Sequence, residues 1–163
     1  MNRIFLASRR LSLGLLLVLS ASAFAQTSTR EHIRLQALRA EANQPSVYEI
    51  TITSPEVLEA DAEFVVEFPA DFDLTMLLVA GSPDLNGGFT LTREGQRVRA
   101  QRSGAGVRVA ANTPVHLRLG AIMNPGKLEG EYQVGVQVRP ALAATLSAVQ
   151  KAKVEFQREA AKE

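Results

Sequence analysis

The chain has 163 residues with no cysteine and no tryptophan, and 18 basic against 17 acidic side chains leave a formal net charge of +1. The absence of cysteine excludes thiolate catalysis, iron–sulfur clusters and cysteine-based zinc sites. The near balance of charge argues against a nucleic-acid-binding protein, which needs a clustered excess of Lys and Arg.

The first 25 residues have the pattern of an export signal. Three arginines (Arg3, Arg9 and Arg10) precede a nine-residue apolar run, and Ala23-Phe24-Ala25 forms a small-x-small cleavage site before Gln26. The pattern predicts a secretory signal peptide over residues 1–25. The apolar run is shorter than the roughly 20 residues that a membrane-spanning helix needs. We therefore expect a periplasmic or secreted protein with no membrane span.

Cleavage at this site changes the size and the charge of the chain. Removing residues 1–25 leaves 138 residues, and subtracting the three leader arginines from 18 leaves 15 basic against 17 acidic side chains. A chain of this length forms one ordinary domain with a real apolar core. Since it has no disulfide to stabilise it outside the cytoplasm, we expect that core to hold the fold by itself.

The mature chain begins with a polar segment, 26–32, that we expect to be flexible. Residues 31–42 are compatible with a short helix by composition, and equally with a first strand by the alternation of Ile33, Leu35 and Ala37. From Val47 onward the period is two, which indicates strands with one buried face.

Short alternating segments then continue at intervals of eight to twelve residues. They are separated by Pro, Gly and Asn turn signals such as 81–83, 86–88, 103–106 and 124–126. The segment 132–138 alternates most clearly, with its valines at every second position. This spacing predicts an all-β sandwich over residues 33–157.

The end of the chain permits two interpretations. Residues 141–157 include helix formers, yet Val154 and Phe156 alternate with charged neighbours as in a closing strand. We favour a loop or a short helical turn followed by a last strand near 151–157, and a charged tail over 158–163.

The strand pattern resembles the immunoglobulin-like repeat units of bacterial and archaeal cell-surface and secreted proteins. The resemblance covers about residues 38–138 and has four parts in order: a Tyr-initiated strand (48–53), a strand ending in Phe-Pro (64–69), an Asn-Pro turn (122–125) and a Gly-x-Tyr strand (130–134). It implies a single immunoglobulin-like β-sandwich and an association with cell envelopes. Those units usually occur in tandem, whereas this chain has one copy, which argues against a filament-forming role.

Five residues of this pattern have structural roles that physical chemistry explains. Pro69 ends strand pairing because it lacks an N–H donor, and Asn124-Pro125 sets a bend between strands. Gly130 and Tyr132 resemble the tyrosine corner of sandwiches, in which a Tyr at the start of a strand bonds back to the preceding corner.

A cluster of arginines is the candidate interaction site. Arg97, Arg99, Arg102 and Arg108 lie close together in the sequence, and Arg97 and Arg99 share one face of a strand. Such a stripe suits an acidic protein or a phosphate-bearing surface polymer. The alternative is that the arginines only cover an outer sheet face and discourage aggregation at an edge.

A calcium site is the second candidate. Asp84 and Asn86 offer oxygens at alternate positions, and Asp71 and Asp73 could add carboxylates if the loops converge at one end of the sandwich. The two histidines, His32 and His116, are better explained as solvated side chains than as metal ligands.

The function predicted from these observations is non-catalytic. No candidate catalytic group has the spacing of a known enzyme motif, so we expect no enzyme and no resident cofactor other than a possible calcium ion. We expect an exported envelope interaction or structural module that binds a protein or surface polymer. The alternative is a calcium- or small-ligand-binding periplasmic domain. Nothing in the sequence points to a particular oligomeric state.

Overall fold

The computed structural model describes residues 32–156. The predicted signal peptide, residues 26–31 of the polar segment and the charged tail lie outside the described residues. His32, the last residue of the segment that was expected to be flexible, is the first residue of a strand. Between residues 32 and 156 no helix is long and apolar enough to cross a membrane.

The described residues form strands and connecting turns. In chain order the strands are β1 (His32–Ala37), β2 (Pro45–Thr53), β3 (Glu63–Glu67), β4 (Val79–Gly81), β5 (Phe89–Glu94), β6 (Arg97–Arg102), β7 (Pro114–Met123), β8 (Gln133–Arg139) and β9 (Gln150–Phe156).

The strands pair in the order β4-β7-β2-β1-β9-β8-β3-β6-β5. The pairs are antiparallel except β1–β9, which is parallel. This chain of pairs folds over at β1 and β9 into two layers, sheet 1 (β4-β7-β2-β1) and sheet 2 (β9-β8-β3-β6-β5). The fold is the all-β, immunoglobulin-like sandwich that the resemblance implied.

The core lies between the two sheets and is built from every second residue of each strand. In β2 the inward residues are Tyr48, Ile50 and Ile52, while Val47 alternates with them and is 37% exposed. Tyr48 reaches across the core, with its ring 5.6 Å from that of Phe68 and 5.7 Å from that of Phe72.

The two ambiguous segments are both strands. The alternation of Ile33, Leu35 and Ala37 belongs to β1, so the helical alternative for 31–42 is wrong. The last strand, β9, begins at Gln150 and follows an irregular connection, as the strand interpretation predicted. The two segments pair with each other, with Leu35 opposite Val154, and this contact joins the two sheets.

The tyrosine corner is present. The hydroxyl of Tyr132 donates a hydrogen bond of 2.8 Å to the carbonyl oxygen of Lys127, five residues upstream. Val134, which occupies the position of the antibody cysteine, is fully buried in the apolar core. Gly130 lies beside the ring of Tyr132, and a Cβ atom at Gly130 would lie 2.7 Å from ring carbons Cε2 and Cζ. The corner therefore requires glycine there.

Substituting alanine for Gly130 is expected to lower the free energy of unfolding by about 2 kcal/mol, because the new methyl group overlaps the Tyr132 ring. Urea denaturation measures the difference. The matched control is Gly81→Ala, since a Cβ at Gly81 has no atom within 4 Å. Equal stability of the two variants would show that the ring moves aside without cost.

The Phe-Pro and Asn-Pro motifs also have clear roles. The carbonyl of Pro69, just after β3, accepts hydrogen bonds from the Gln96 side chain (2.6 Å) and the Phe72 main chain (3.2 Å). Asn124 and Pro125 come directly after Met123, the last residue of β7, and both are buried. They therefore turn the chain out of sheet 1, as predicted.

Candidate interaction face

Sheet 2 presents a face to solvent that carries basic side chains from three strands. Because Val98 and Ala100 of β6 point inward, Arg97 and Arg99 point outward. The neighbouring strands β8 and β9 add Arg139, Lys151 and Lys153. We call this set the cationic face: Arg97, Arg99, Arg139, Lys151 and Lys153.

A buried carboxylate on the same face positions two of the guanidinium groups. Glu63 of β3 lies between β6 and β8, opposite Gln101 and Arg139. Its Oε1 is 3.4 Å from Nη1 of Arg99, and its Oε2 is 3.3 Å from Nε of Arg139. The Glu63 side chain is only 8% exposed, and it forms a hydrogen bond with Arg99 and an ion pair with Arg139.

Arg97 extends across the middle of sheet 2. Its Nη2 donates a hydrogen bond of 3.2 Å to Oε1 of Gln137, two strands away on β8. Val65 lies between these two strands on the same outward face and is only 2% exposed. The long outer side chains therefore shield this valine from water, as arginine stems commonly do over apolar surface.

The face also carries acidic side chains, so its charge is mixed. Glu67 and Glu94 lie opposite Arg97 on either side of it, and Glu131 accepts a hydrogen bond of 2.8 Å from Lys153. This contact lowers the pKa of Glu131. Together with Glu63, and with Glu155 on the outward side of β9, these make five carboxylates against five cations. A partner must therefore match a pattern of charges, not a uniform positive surface.

Arg102 does not belong to this face, although it was among the predicted interaction residues. It is only 1% exposed. Strand parity places it on the inward side of β6, with Val98 and Ala100. Its guanidinium donates hydrogen bonds of 2.6 Å to the carbonyl of Glu59 and 2.7 Å to that of Val107. Arg102 is therefore a structural clamp at one end of the sandwich.

Arg108 also lies away from the strands of sheet 2. It is exposed in the connection between β6 and β7, next to Val109, whose main chain bridges to Leu58. The predicted set of four arginines is thus divided by the fold. Arg97 and Arg99 lie on the cationic face, Arg102 lies in the interior, and Arg108 lies at a loop end.

The residues considered for calcium do not converge. Asp73 pairs with Met123 at one end of β7, whereas Asp84 bonds to His116 near the other end. His116 and Met123 are seven positions apart in β7, which corresponds to about 23 Å of strand. Among residues 32–156, no group of three or more His, Asp or Glu side chains is placed to hold a metal ion.

Three of the four candidate oxygen ligands, Asp73, Asn86 and Asp84, already accept local hydrogen bonds. Oδ1 of Asp73 accepts the N–H of Thr75 at 2.8 Å, which lowers the pKa of Asp73. Oδ1 of Asn86 accepts the N–H of Val107 at 2.9 Å. Asp71, just before Phe72, is exposed at the same end as Asp73. These contacts are those of turn-forming residues.

Asp84 has a further role at the edge of sheet 1. Its Oδ2 is 2.8 Å from the main-chain nitrogen and 2.7 Å from ring Nδ1 of His116. Partial burial raises the pKa of Asp84, but the hydrogen bonds from His116 outweigh burial and the net shift is downward. The carboxylate thus satisfies a backbone donor of β7 beyond the end of short β4. His116 does face outward, as predicted, but it bonds to Asp84.

Sequence reasoning missed Arg139, Lys151 and Lys153 as members of the cationic face. Their alternation with Val138, Ala152 and Val154 signals that they point outward. Alternation does not predict that these residues lie near Arg97 and Arg99, because that proximity depends on the pairing of β8 with β3. Parity alone, by contrast, was sufficient to separate Arg102 from Arg97 and Arg99.

Comparison with protein-family models and with curated proteins finds no match. Among solved structures, the chain is similar to a cohesin module of a family 33 glycoside hydrolase from Clostridium perfringens. The two share 13% identity, 78% of this chain and 96% of that one are covered, and the TM-score is 0.48. A non-cellulosomal cohesin from the archaeon Archaeoglobus fulgidus has 13% identity, coverage of 77% and 91%, and a TM-score of 0.45. An immunoglobulin-like protein from Nocardia farcinica has 14% identity, coverage of 76% and 98%, and a TM-score of 0.37.

Proposed function

We propose that the protein is an exported, non-catalytic interaction module of the cell envelope, and that its cationic face docks a partner protein carrying acidic side chains. The observation that carries the proposal is the fixed arrangement of Arg97, Arg99 and Arg139. Contacts to Gln137 and Glu63 hold these guanidinium groups in place across three adjacent strands.

Fixed guanidinium groups favour binding because little side-chain entropy is lost when a partner arrives. Each guanidinium has five N–H donors. In the described part of the chain, the contacts of Arg97, Arg99 and Arg139 on this face each use one nitrogen atom. The remaining donors suit the carboxylates of a partner, since arginine binds carboxylates through paired hydrogen bonds.

The shape and composition of the face favour a protein partner over a polysaccharide. It is the outer surface of a sheet, without a deep cleft. The outward positions of its strands carry Thr, Gln, Arg, Lys, Glu, Val and Gly, with no aromatic ring. Carbohydrate sites usually present aromatic platforms, whereas a mixed polar surface with arginine is typical of protein interfaces.

The double variant Arg97→Ala/Arg99→Ala is expected to weaken partner binding at least tenfold, since contacts to charged groups at an interface are worth on the order of 2 kcal/mol or more. The tagged protein is crosslinked in its native host, and the envelope partner is identified by mass spectrometry. The partner is then purified, and its Kd is measured for wild type and variant. Both proteins should melt at similar temperatures.

The matched control is Arg34→Ala/Arg39→Ala. These two arginines are also exposed, with side chains 66% and 57% accessible, but they lie on β1 and in the loop after it. Their loss should leave Kd unchanged. A Kd that rises equally in both double variants would indicate a general charge effect, and an unchanged Kd in the Arg97/Arg99 variant would contradict the proposal. Crosslinking to polysaccharide alone would favour the surface polymer.

A further inference from the structure

One glycine of the cationic face is not needed by the fold. At Gly106 and Gly130 an added Cβ would lie 2.3 Å from the Asn86 carbonyl oxygen and 2.7 Å from the Tyr132 ring, so the chain itself requires glycine there. At Gly135, in the middle of β8, the closest atom is Cγ1 of Val149 at 3.2 Å. Val149 is 56% exposed and can rotate away.

The backbone at Gly135 does not require glycine either, because its φ lies outside the left-handed region. Glycine within a strand lowers stability, and it often marks a place where another chain or a ligand approaches closely. The side chain missing at Gly135 therefore leaves space that the protein itself does not fill.

This space is a groove in the cationic face with a volume of 290 Å³. Gly135 belongs to a row of directly paired residues that crosses sheet 2: Glu94, Arg97, Glu67, Gly135 and Lys151. The four members of this row besides Gly135 are all charged. The groove is thus a gap between Glu67 and Lys151. Its apolar lining is formed by Phe68, Pro69 and the exposed Val149, and Gln133 lies beside them.

We propose that the groove receives one branched aliphatic side chain of the partner, with a partner carboxylate beside it contacting Lys151. This inference rests on the proposed function and specifies which segment of the partner is recognised. The groove volume lies at the lower limit for small-molecule sites, about 300–1,000 Å³. It therefore suits a single side chain better than a whole ligand.

Charge complementarity decides the side on which the carboxylate lies. Glu67 bounds the groove on the β3 side and would repel an acidic residue there. Lys151 bounds it on the β9 side, where an acidic residue is attracted. At protein interfaces, most of the binding energy usually comes from a few residues buried in central pockets, and polar or charged groups surround them at the rim. The groove and its charged neighbours have this arrangement.

Two variants close the groove without touching the arginines. Gly135→Val fills it and adds a residue that favours strands. Val149→Glu places a charge on its apolar wall at an exposed position, so folding should be unaffected. The matched controls are Gly81→Val, in open space on β4, and Leu142→Glu, at an exposed position in the β8–β9 connection.

The test is a titration of the isotope-labelled exported protein, followed by NMR. The probe is the acetylated peptide Gly-Gly-Leu-Glu-Gly, which has one carboxylate side chain beside the leucine, with two comparison peptides that replace Leu by Ala or Glu by Lys. We expect the first peptide to shift the amide signals of Gly135, Val149 and Lys151. The alanine peptide should bind at least tenfold more weakly, and the lysine peptide should leave these signals unmoved. Both groove variants should abolish the shifts, and both controls should retain them.

The results of these experiments distinguish an error in the groove proposal from an error in the proposed function. If the first peptide leaves the signals of Gly135, Val149 and Lys151 unmoved, the groove is overturned. The groove proposal is also overturned if Gly135→Val and Val149→Glu bind the purified partner as tightly as wild type does. This conclusion stands even if Arg97→Ala/Arg99→Ala no longer binds the partner. If the groove binds the peptide but no envelope partner depends on Arg97 and Arg99, the groove stands and the proposed function fails.

Discussion

Substituting methionine for Arg102 is expected to lower the free energy of unfolding by about 4 kcal/mol, because each buried carbonyl that loses its hydrogen-bond donor costs on the order of 1–3 kcal/mol. The four carbonyls that Arg102 contacts belong to Leu58, Glu59, Asn86 and Val107. They come from three separate loop segments, so the loss of one side chain releases the whole end of the sandwich.

The charge of Arg102 is tolerated in the interior because of its surroundings. Burial lowers the pKa of Arg102, whereas the nearby carboxylates of Asp61 and Glu59 raise it. Arginine remains charged even after a substantial downward shift. Gly106 permits the close packing here, since a Cβ at that position would lie 2.7 Å from Nη2 of Arg102.

Thermal unfolding of Arg102→Met tests the clamp, with an expected fall in Tm on the order of 15 °C. Arg108→Met is the matched control, because Arg108 is exposed in the adjoining loop. Arg102→Lys should give an intermediate Tm, since a single ammonium cannot reach all the carbonyls that the guanidinium contacts. A Tm of Arg102→Met equal to that of the control would mean that the loops do not depend on the clamp.

Substituting leucine for Asn124 is expected to lower the free energy of unfolding by about 3 kcal/mol, because a buried hydroxyl and two carbonyls lose their partners. The side-chain oxygen of Asn124 accepts a hydrogen bond from the hydroxyl of Tyr48. Its nitrogen donates to the carbonyls of Arg39 and Glu41, both at 2.8 Å. Asn124 therefore ties the β1–β2 connection to the end of β7.

A double-mutant cycle with Tyr48→Phe separates the two contributions of Asn124. If the hydroxyl of Tyr48 loses its Asn124 partner in Asn124→Leu, removing that hydroxyl should recover part of the stability. The double variant should then be more stable than the sum of the two single effects predicts. Strict additivity in urea denaturation would show that the pair does not interact energetically.

Much of the fold could be predicted from local alternation, because a strand between water and a core shows its two faces directly in the sequence. The valines of β8 and the alternating residues of β1 are of this kind. The apolar run 74–79 is less informative: Leu74 and Leu77 are buried, whereas Leu78 is 82% exposed. This segment leads into β4, which is an edge strand of sheet 1 and pairs, among the described strands, with β7 alone.

The candidate site was only partly predictable for a related reason. The outward direction of Arg97 and Arg99 follows from parity, but their contacts with Gln137 and Glu63 join residues at least 36 positions apart. Such neighbours depend on strand order, which alternation does not specify. The calcium hypothesis was weakened in the same way, since β7 separates Asp73 from Asp84 along its length.

A site-specific photo-crosslinker in the native host tests the central claim, that the outer face of sheet 2 docks the partner. Thr92 lies on that face, directly opposite Arg99. Thr51 is its counterpart on the outer face of sheet 1, opposite His116 and Arg34. The account predicts that crosslinker at Thr92 captures one envelope protein and that crosslinker at Thr51 does not. Capture from Thr51 alone, or equal capture from both positions, would contradict it.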